Sequence, residues 1–317
     1  MFTTRLSDRV LLVTGDYLDE HMTVLDTGDG LVVIDTLATM PATRAALPHI
    51  RSFSDAPVRV VVNTHLDVDH TAGNHLFPGA TIVCHANGRR HLDERVFDDP
   101  SSERAIRDLV TSLESSQSAG NADPRVGKYI AIYTTLLDGF GDYVAAPPTF
   151  FVADGSFVLL GGLTVELHHF GPAHTDADLV AWVPQERLLI AGDAIVGDVM
   201  APVAHAAHGG SVMGMMETGH AVRRLIGTDT RIVPGHGAIG GLELIERQQA
   251  YVAALLDDVR KARLDGLSLD EAKRTLQVEA FSRLLCYDFV QPGHVELAWI
   301  ETAGEAPSPP TTPPHQR

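Results

Sequence analysis

The sequence predicts a mixed protein of the α/β or α+β class, and three observations carry that reading. Short β-branched apolar runs recur in both halves of the chain, stretches of helical period lie between several of them, and the runs end in polar residues, as strands do at the rim of a sheet. At 317 residues and 44% apolar content the chain is long enough to bury a substantial core.

Residues 9–13 and 22–26 read as strands, Thr27-Gly28-Asp29-Gly30 as a turn and 31–35 as the next strand, which together make a meander. Thr39 followed by Pro41 supplies an N-cap and an early helical proline, so 41–53 is predicted helical, with a kink allowed at Pro48. A strand over 58–63, a short helix over 71–77 and a strand over 81–85 follow. Residues 100–148 break this rhythm. Ser101-Ser102-Glu103-Arg104 opens a helix with apolar positions at Ile106, Leu109, Val110 and Leu113, and a second helix over 126–137 sets Tyr129 and Tyr133 on one face. This is a helical insertion, serving either as extra packing or as a lid over a site. Strands are predicted over 157–160, 163–170, 179–183 and 187–190, with a turn at Pro184-Gln185-Glu186, and helices over 214–226 and 240–264. Residues 1–301 are taken as one domain, and 302–317, rich in Pro and Thr, as a disordered tail.

The chemistry concentrates in Asn63-Thr64-His65-Leu66-Asp67-Val68-Asp69-His70, where the apolar run Val60-Val61-Val62 ends in two histidines and two aspartates within six positions. Such a run is expected where a strand delivers metal ligands to its rim. Further candidates sit after other apolar runs: His174 in Gly171-Pro172-Ala173-His174-Thr175-Asp176, Asp193 in Ala191-Gly192-Asp193, and His236 in Pro234-Gly235-His236-Gly237. Loops on a rigid scaffold are where reactive groups usually lie.

These ordered blocks resemble the metallo-β-lactamase superfamily, whose ligands come from an HxHxDH loop, a distant His, an Asp and a final His; the likeness runs from about residue 10 to residue 260. It implies a four-layer αββα sandwich with two divalent ions at one edge. It assigns His65, Asp67 and His174 to the first ion and Asp69, His70 and His236 to the second, with Asp193 bridging; Asp69 and Asp193 are the implied catalytic carboxylates. Zinc is the first expectation. Asp67 departs from the common pattern, which has His there, and a third carboxylate suits harder ions such as iron or manganese. Two divalent ions carry four positive charges, so the three aspartates and a bridging hydroxide leave no net charge. A carboxylate there resembles the flavodiiron branch, although no flavodoxin-like domain follows.

Imidazoles that bind metal need an acceptor on the second nitrogen, for which Asp35 and Asp178 are candidates, with Thr64, Asn74 and Thr175 as further supports. His205 or His208 is a candidate general acid.

Leu31-Val32-Val33-Ile34-Asp35-Thr36-Leu37, Trp182-Val183-Pro184 and Ala191-Gly192-Asp193 are similar to the thioesterase/cyclases of aromatic polyketide pathways, implying a small-molecule or carrier-bound acyl substrate. The expected function is a dinuclear metallohydrolase using a metal-bridging hydroxide on a thioester or ester; the alternative is a non-haem diiron oxidoreductase. A formal charge of −17 argues against nucleic acid as a partner. The absence of a GxSxG elbow argues against a serine hydrolase. No apolar run is long enough to span a bilayer, so the chain is read as soluble and cytoplasmic. A homodimer is left open, and Cys84 and Cys286 are read as buried free thiols.

Overall fold

The computed structural model describes residues 1–92, 97 and 100–304, so most of the expected tail lies outside the described residues. Thr302, where that tail was placed to begin, is instead buried, its hydroxyl donating to the Ala298 carbonyl at 2.7 Å.

Two sheets form the centre. The first runs β1 (Phe2–Ser7), β2 (Val10–Thr14), β3 (His21–Asp26), β4 (Leu31–Ile34), β5 (Val58–Val62), β6 (Thr81–His85) and β7 (Phe150–Val152) in that order. Its first four strands are an antiparallel meander; β5, β6 and β7 then add in parallel. The second sheet holds β8 (Ser156–Leu160), β9 (Leu163–His168), β10 (Val180–Val183), β11 (Leu188–Gly192) and β12 (Arg231–Pro234), antiparallel except where β12 lies parallel to β11.

Both faces are covered at the central strands, such as β2, β4 and β11, which is why these read as continuous apolar runs. Val10, Leu12, Val32, Ile34 and Val62 meet Leu163, Val165, Leu167, Ile190 and Val233 between the sheets. The alternate residues Leu11, Val13, Val33 and Val61 face outward onto Ala46 and Ile50 of α1 (Met40–Phe53). On the far side Leu189, Ala191 and Ile232 pack with Val222 of α5 (Val212–Leu225) and with Leu244 and Ile245 of α6 (Leu242–Leu264). The result is helix, sheet, sheet, helix.

Local chemistry sets the helix starts as expected: Thr39 accepts from Ala42 N at 3.1 Å and Ser211 from Gly214 N at 2.8 Å. The single short helix expected over 71–77 is instead α2 (Val68–Thr71) followed by a 3₁₀ turn at Asn74–Leu76. The insertion is a hairpin of α3 (Pro100–Ser118) and α4 (Arg125–Leu137). Beyond α6 lie two helices with no counterpart in the sequence reading, α7 (Leu269–Thr275) and α8 (Tyr287–Glu301); β1 and β7 were also not anticipated. Pro292 and Gly293 interrupt the helical signal of α8, but its buried His294, Val295 and Ala298 hold it in place. Cys84 is buried and Cys286 half-buried, both as free thiols.

Candidate metal centre

Strand ends deliver the candidate ligands to one rim of the sandwich. β5 leads into the loop and first turn carrying His65, Asp67, Asp69 and His70; β11 ends at Gly192 before Asp193; β12 ends at Pro234 before His236. His174 comes from the connection between β9 and β10. All seven side chains converge. Asp193 lies at the centre, Oδ1 3.3 Å from His70 Nε2 and 3.4 Å from His236 Nε2, Oδ2 3.8 Å from His174 Nε2. Asp69 Oδ2 is 3.2 Å from His236 Nε2 and 3.7 Å from His70 Nε2. Asp67 Oδ2 is 2.9 Å from His174 Nε2 and 3.7 Å from His65 Nε2. Ligands around a tetrahedral ion with bonds of about 2.0–2.1 Å sit about 3.3 Å apart. Most of these separations bracket that figure.

The tautomers point the same way. His70 Nδ1 donates to Asp35 Oδ2 at 2.9 Å, and His174 Nδ1 to the Val203 carbonyl at 2.9 Å. His236 Nδ1 donates to the Leu18 carbonyl at 3.1 Å, and His65 Nδ1 reaches Thr64 Oγ1 at 3.1 Å. Each imidazole is therefore held by Nδ1 and turns Nε2 toward the centre, where His174 Nε2 donates to Asp67 Oδ2 at 2.9 Å. His65 Nε2, His70 Nε2 and Asp193 Oδ1 are sealed from solvent and make no hydrogen bond among the described residues. Buried polar atoms are rarely left so, which fits a donor set shaped for cations.

Asp35 does what was asked of it, and more. Its two oxygens also accept from Thr64 N and Thr64 Oγ1, each at 2.8 Å, so one carboxylate aims His70 directly and His65 through Thr64. It sits just past β4 with a φ of 59°, a strained conformation that turns the carboxylate into the rim. Asp178 differs from expectation: among the described residues it bonds no ligand ring but accepts from His174 N at 2.8 Å and Thr175 Oγ1 at 2.6 Å, shaping the loop instead. Asn74 likewise pairs with Asn63, whose amide donates to the His70 carbonyl at 3.1 Å.

The electrostatics show how much charge the centre must absorb. Burial alone would push Asp67, Asp69 and Asp193 toward neutrality, yet the neighbouring imidazoles hold all three carboxyls below their ordinary range. Burial lowers His65 to about 4, whereas His174 and His236, although buried, are lifted to about 10 by Asp67, Asp69 and Asp193. The lowered carboxyls and the raised His174 and His236 answer one another across the centre, a balance that divalent cations would take over if bound there.

Sequence reasoning missed several supports. Buried Gln248 of α6 donates to the Ala194 carbonyl at 2.7 Å, fixing the turn after Asp193. Buried His294 of α8 accepts from Ala204 N at 2.9 Å, next to the carbonyl that aims His174. Glu20, buried and pushed up to about 8 by desolvation, accepts from Tyr17 N and Ala38 N. Tyr17 lies edge-on to His236 with ring centroids 6.4 Å apart and packs with Tyr133 of α4, so the insertion closes over this side of the rim.

An αββα sandwich with a converging His/Asp centre at one edge defines a metallohydrolase-type scaffold. The sequence profile of the Metallo-beta-lactamase superfamily matches residues 15–236, and the chain belongs to that superfamily. It is 23% identical over 257 residues, 78% of this chain and 48% of the relative, to a linear primary-alkylsulfatase of Pseudomonas sp.. Among solved structures it is similar to the inverting sec-alkylsulfatase Pisa1 of Pseudomonas sp., with a TM-score of 0.68, 17% identity, and coverage of 95% of this chain and 50% of that one. A metallo-beta-lactamase from Pontibacter korlensis matches with a TM-score of 0.55 and 18% identity, covering 80% of this chain and 98% of that one. The chain spans about half the length of the curated relatives it matches.

Proposed function

We propose that this protein is a dinuclear metallohydrolase that cleaves an ester-type bond, with a thioester or carboxylic ester as the substrate its motifs favour. One observation carries the reading: Asp193 turns one oxygen toward His70 and His236 and the other toward His174, which is how a carboxylate stands between two ions. His65, His174 and Asp67 would hold one ion and Asp69, His70 and His236 the other. Two divalent ions bound there would supply hydroxide at neutral pH and polarise the acyl oxygen. The chain's own part is to keep four Nε2 atoms aimed inward through Asp35, Thr64, Val203 and Leu18. Tyr17 and Tyr133 wall the rim, and a cavity of about 140 Å³ of mixed polar and apolar lining, including Leu66, Thr71, His91 and Tyr143, adjoins the ligand loop.

A second reading, an organic sulfate ester, is supported by two alkylsulfatases matching 78% and 95% of the chain. Purified protein assayed on an acyl-thioester, an aryl ester and a primary alkyl sulfate, with its metal content measured, separates them. Turnover of either acyl substrate, lost on chelation and in Asp193→Asn, is expected. Turnover confined to the sulfate replaces the acyl reading with the second. Two irons, oxygen uptake and no turnover of any ester would overturn hydrolysis.

A further inference from the structure

Asp67 stands where the superfamily pattern has a histidine, and besides His65 and His174 it faces two further imidazoles, His205 and His208. We propose that Asp67, His205 and His208 form a third cation position, for a divalent transition-metal ion, that shares Asp67 with the centre. The assignment rests on the pair of ions proposed above.

His205 precedes and His208 ends a single 3₁₀ turn, Ala206–His208, in which residues three apart stand over one another. Their Nδ1 atoms are 2.7 Å apart. The turn is clamped to the segment that carries His174. His205 N donates to the His174 carbonyl at 2.7 Å, Asp176 N to the His208 carbonyl at 3.0 Å, and Gly210 N to the His205 carbonyl at 3.0 Å. Gly209 closes the turn at a φ of 72°, where a Cβ would lie 2.6 Å from Asp176 Oδ2.

Asp67 faces both places. Oδ2 lies 2.9 Å from His174 Nε2, 3.7 Å from His65 Nε2 and 3.9 Å from His205 Nδ1, whereas Oδ1, sealed from solvent and making no hydrogen bond among the described residues, faces His208 Nδ1 at 3.3 Å. One donor atom from each of Asp67, His205 and His208 lies within 4.8 Å of the others. Two imidazoles and a carboxylate on one side, with the other positions open, suit zinc, iron or manganese and not calcium or magnesium, which prefer all-oxygen sets. An ion between the two Nδ1 atoms would spread them by a few tenths of an ångström, toward the spacing of about 3.3 Å that metal bonds impose. A histidine at position 67 offers one lone pair to the pair of ions; a carboxylate offers a second oxygen beyond it. The His205 side chain is 41% exposed, so this ion exchanges with solvent more readily than the other two.

Metal stoichiometry tests this without reference to turnover. Chelator-stripped full-length protein is titrated with Zn²⁺ by calorimetry, and metal per chain is measured after dialysis. Three per chain is expected, falling to two in His205→Ala and in His208→Gln, with the two tighter events unchanged. His205→Ala, at a partly exposed position, keeps the test open if the buried variant does not fold. Two ions in all three proteins overturns the third position and leaves the pair standing; three in all of them overturns the assignment to these histidines. No bound metal overturns both the third position and the pair.

Discussion

At the scale of single residues, the centre depends less on its ligands than on what holds them. Asp35 bonds His70 and Thr64 and, through Thr64, steadies His65. Asp35→Asn is expected to weaken metal affinity about 10- to 100-fold, the usual effect of losing such a partner, read by competition with a chromophoric chelator. Affinity within a factor of two of wild type would show the contact to be incidental. Gly235 is as constrained: a Cβ there would fall 1.8 Å from Asp193 Oδ1. Gly235→Ala must push that carboxylate aside, and we expect it to bind less metal per chain and to be less stable by roughly 1–3 kcal/mol.

His294 gives a pH signature. Burial, with the charge on His174 adding to it, lowers His294 to about 3, and the neutral ring accepts from Ala204 N while Nδ1 meets Tyr251 Oη at 2.7 Å. Its folded pKa is below its unfolded value of about 6.5, so the unfolded chain binds the extra proton first as pH falls. The stabilisation is complete above about 6.5 and drains away as pH falls toward 3. Between pH 6.5 and 4.5 the wild type should lose on the order of 2 kcal/mol more than His294→Gln, seen as converging melting temperatures on acidification. Parallel curves would mean that the ring titrates normally.

At the scale of elements, the α3–α4 hairpin is the part whose role the pattern left open. Packing was legible from Ile106, Leu113, Tyr129 and Tyr133; where the hairpin lands was not. Tyr133 meets Tyr17, which stands beside His236, and shares a cluster with Val68 and Ala72 of the ligand loop. We expect Tyr133→Ala to raise KM several-fold with a smaller change in kcat, because it removes a wall and no ligand. A change confined to stability would reduce the hairpin to packing. The strands near the centre were legible because both faces are buried, which writes them as unbroken apolar runs. β1, with its exposed and half-buried residues, and the three-residue β7 leave no such record.

At the scale of the molecule, three aspartates and four imidazoles gathered in one buried place make the folded state responsive to cations. Ions that bind only the folded chain stabilise it by about 3–4 kcal/mol at 100 to 1,000 times their dissociation constant, so chelation should lower the melting temperature by roughly 5 °C or more. An unchanged melting temperature would argue that the imidazolium charges already suffice. Among the described residues no helix is long and apolar enough to cross a membrane.

By itself the sequence determined the class of fold and the candidate ligands. An αββα sandwich buries its central strands on both sides, and here the loops that end them change abruptly from valine and isoleucine to histidine and aspartate. What only the tertiary structure decided is how those groups are aimed. Two of the four imidazoles are held by the backbone carbonyls of Val203 and Leu18, which any residue type supplies and no pattern reveals. The meeting of Asp67 with His205 and His208, far apart in the chain, is likewise settled by a turn whose position follows from backbone hydrogen bonds to His174 and Asp176, which no sequence pattern announces.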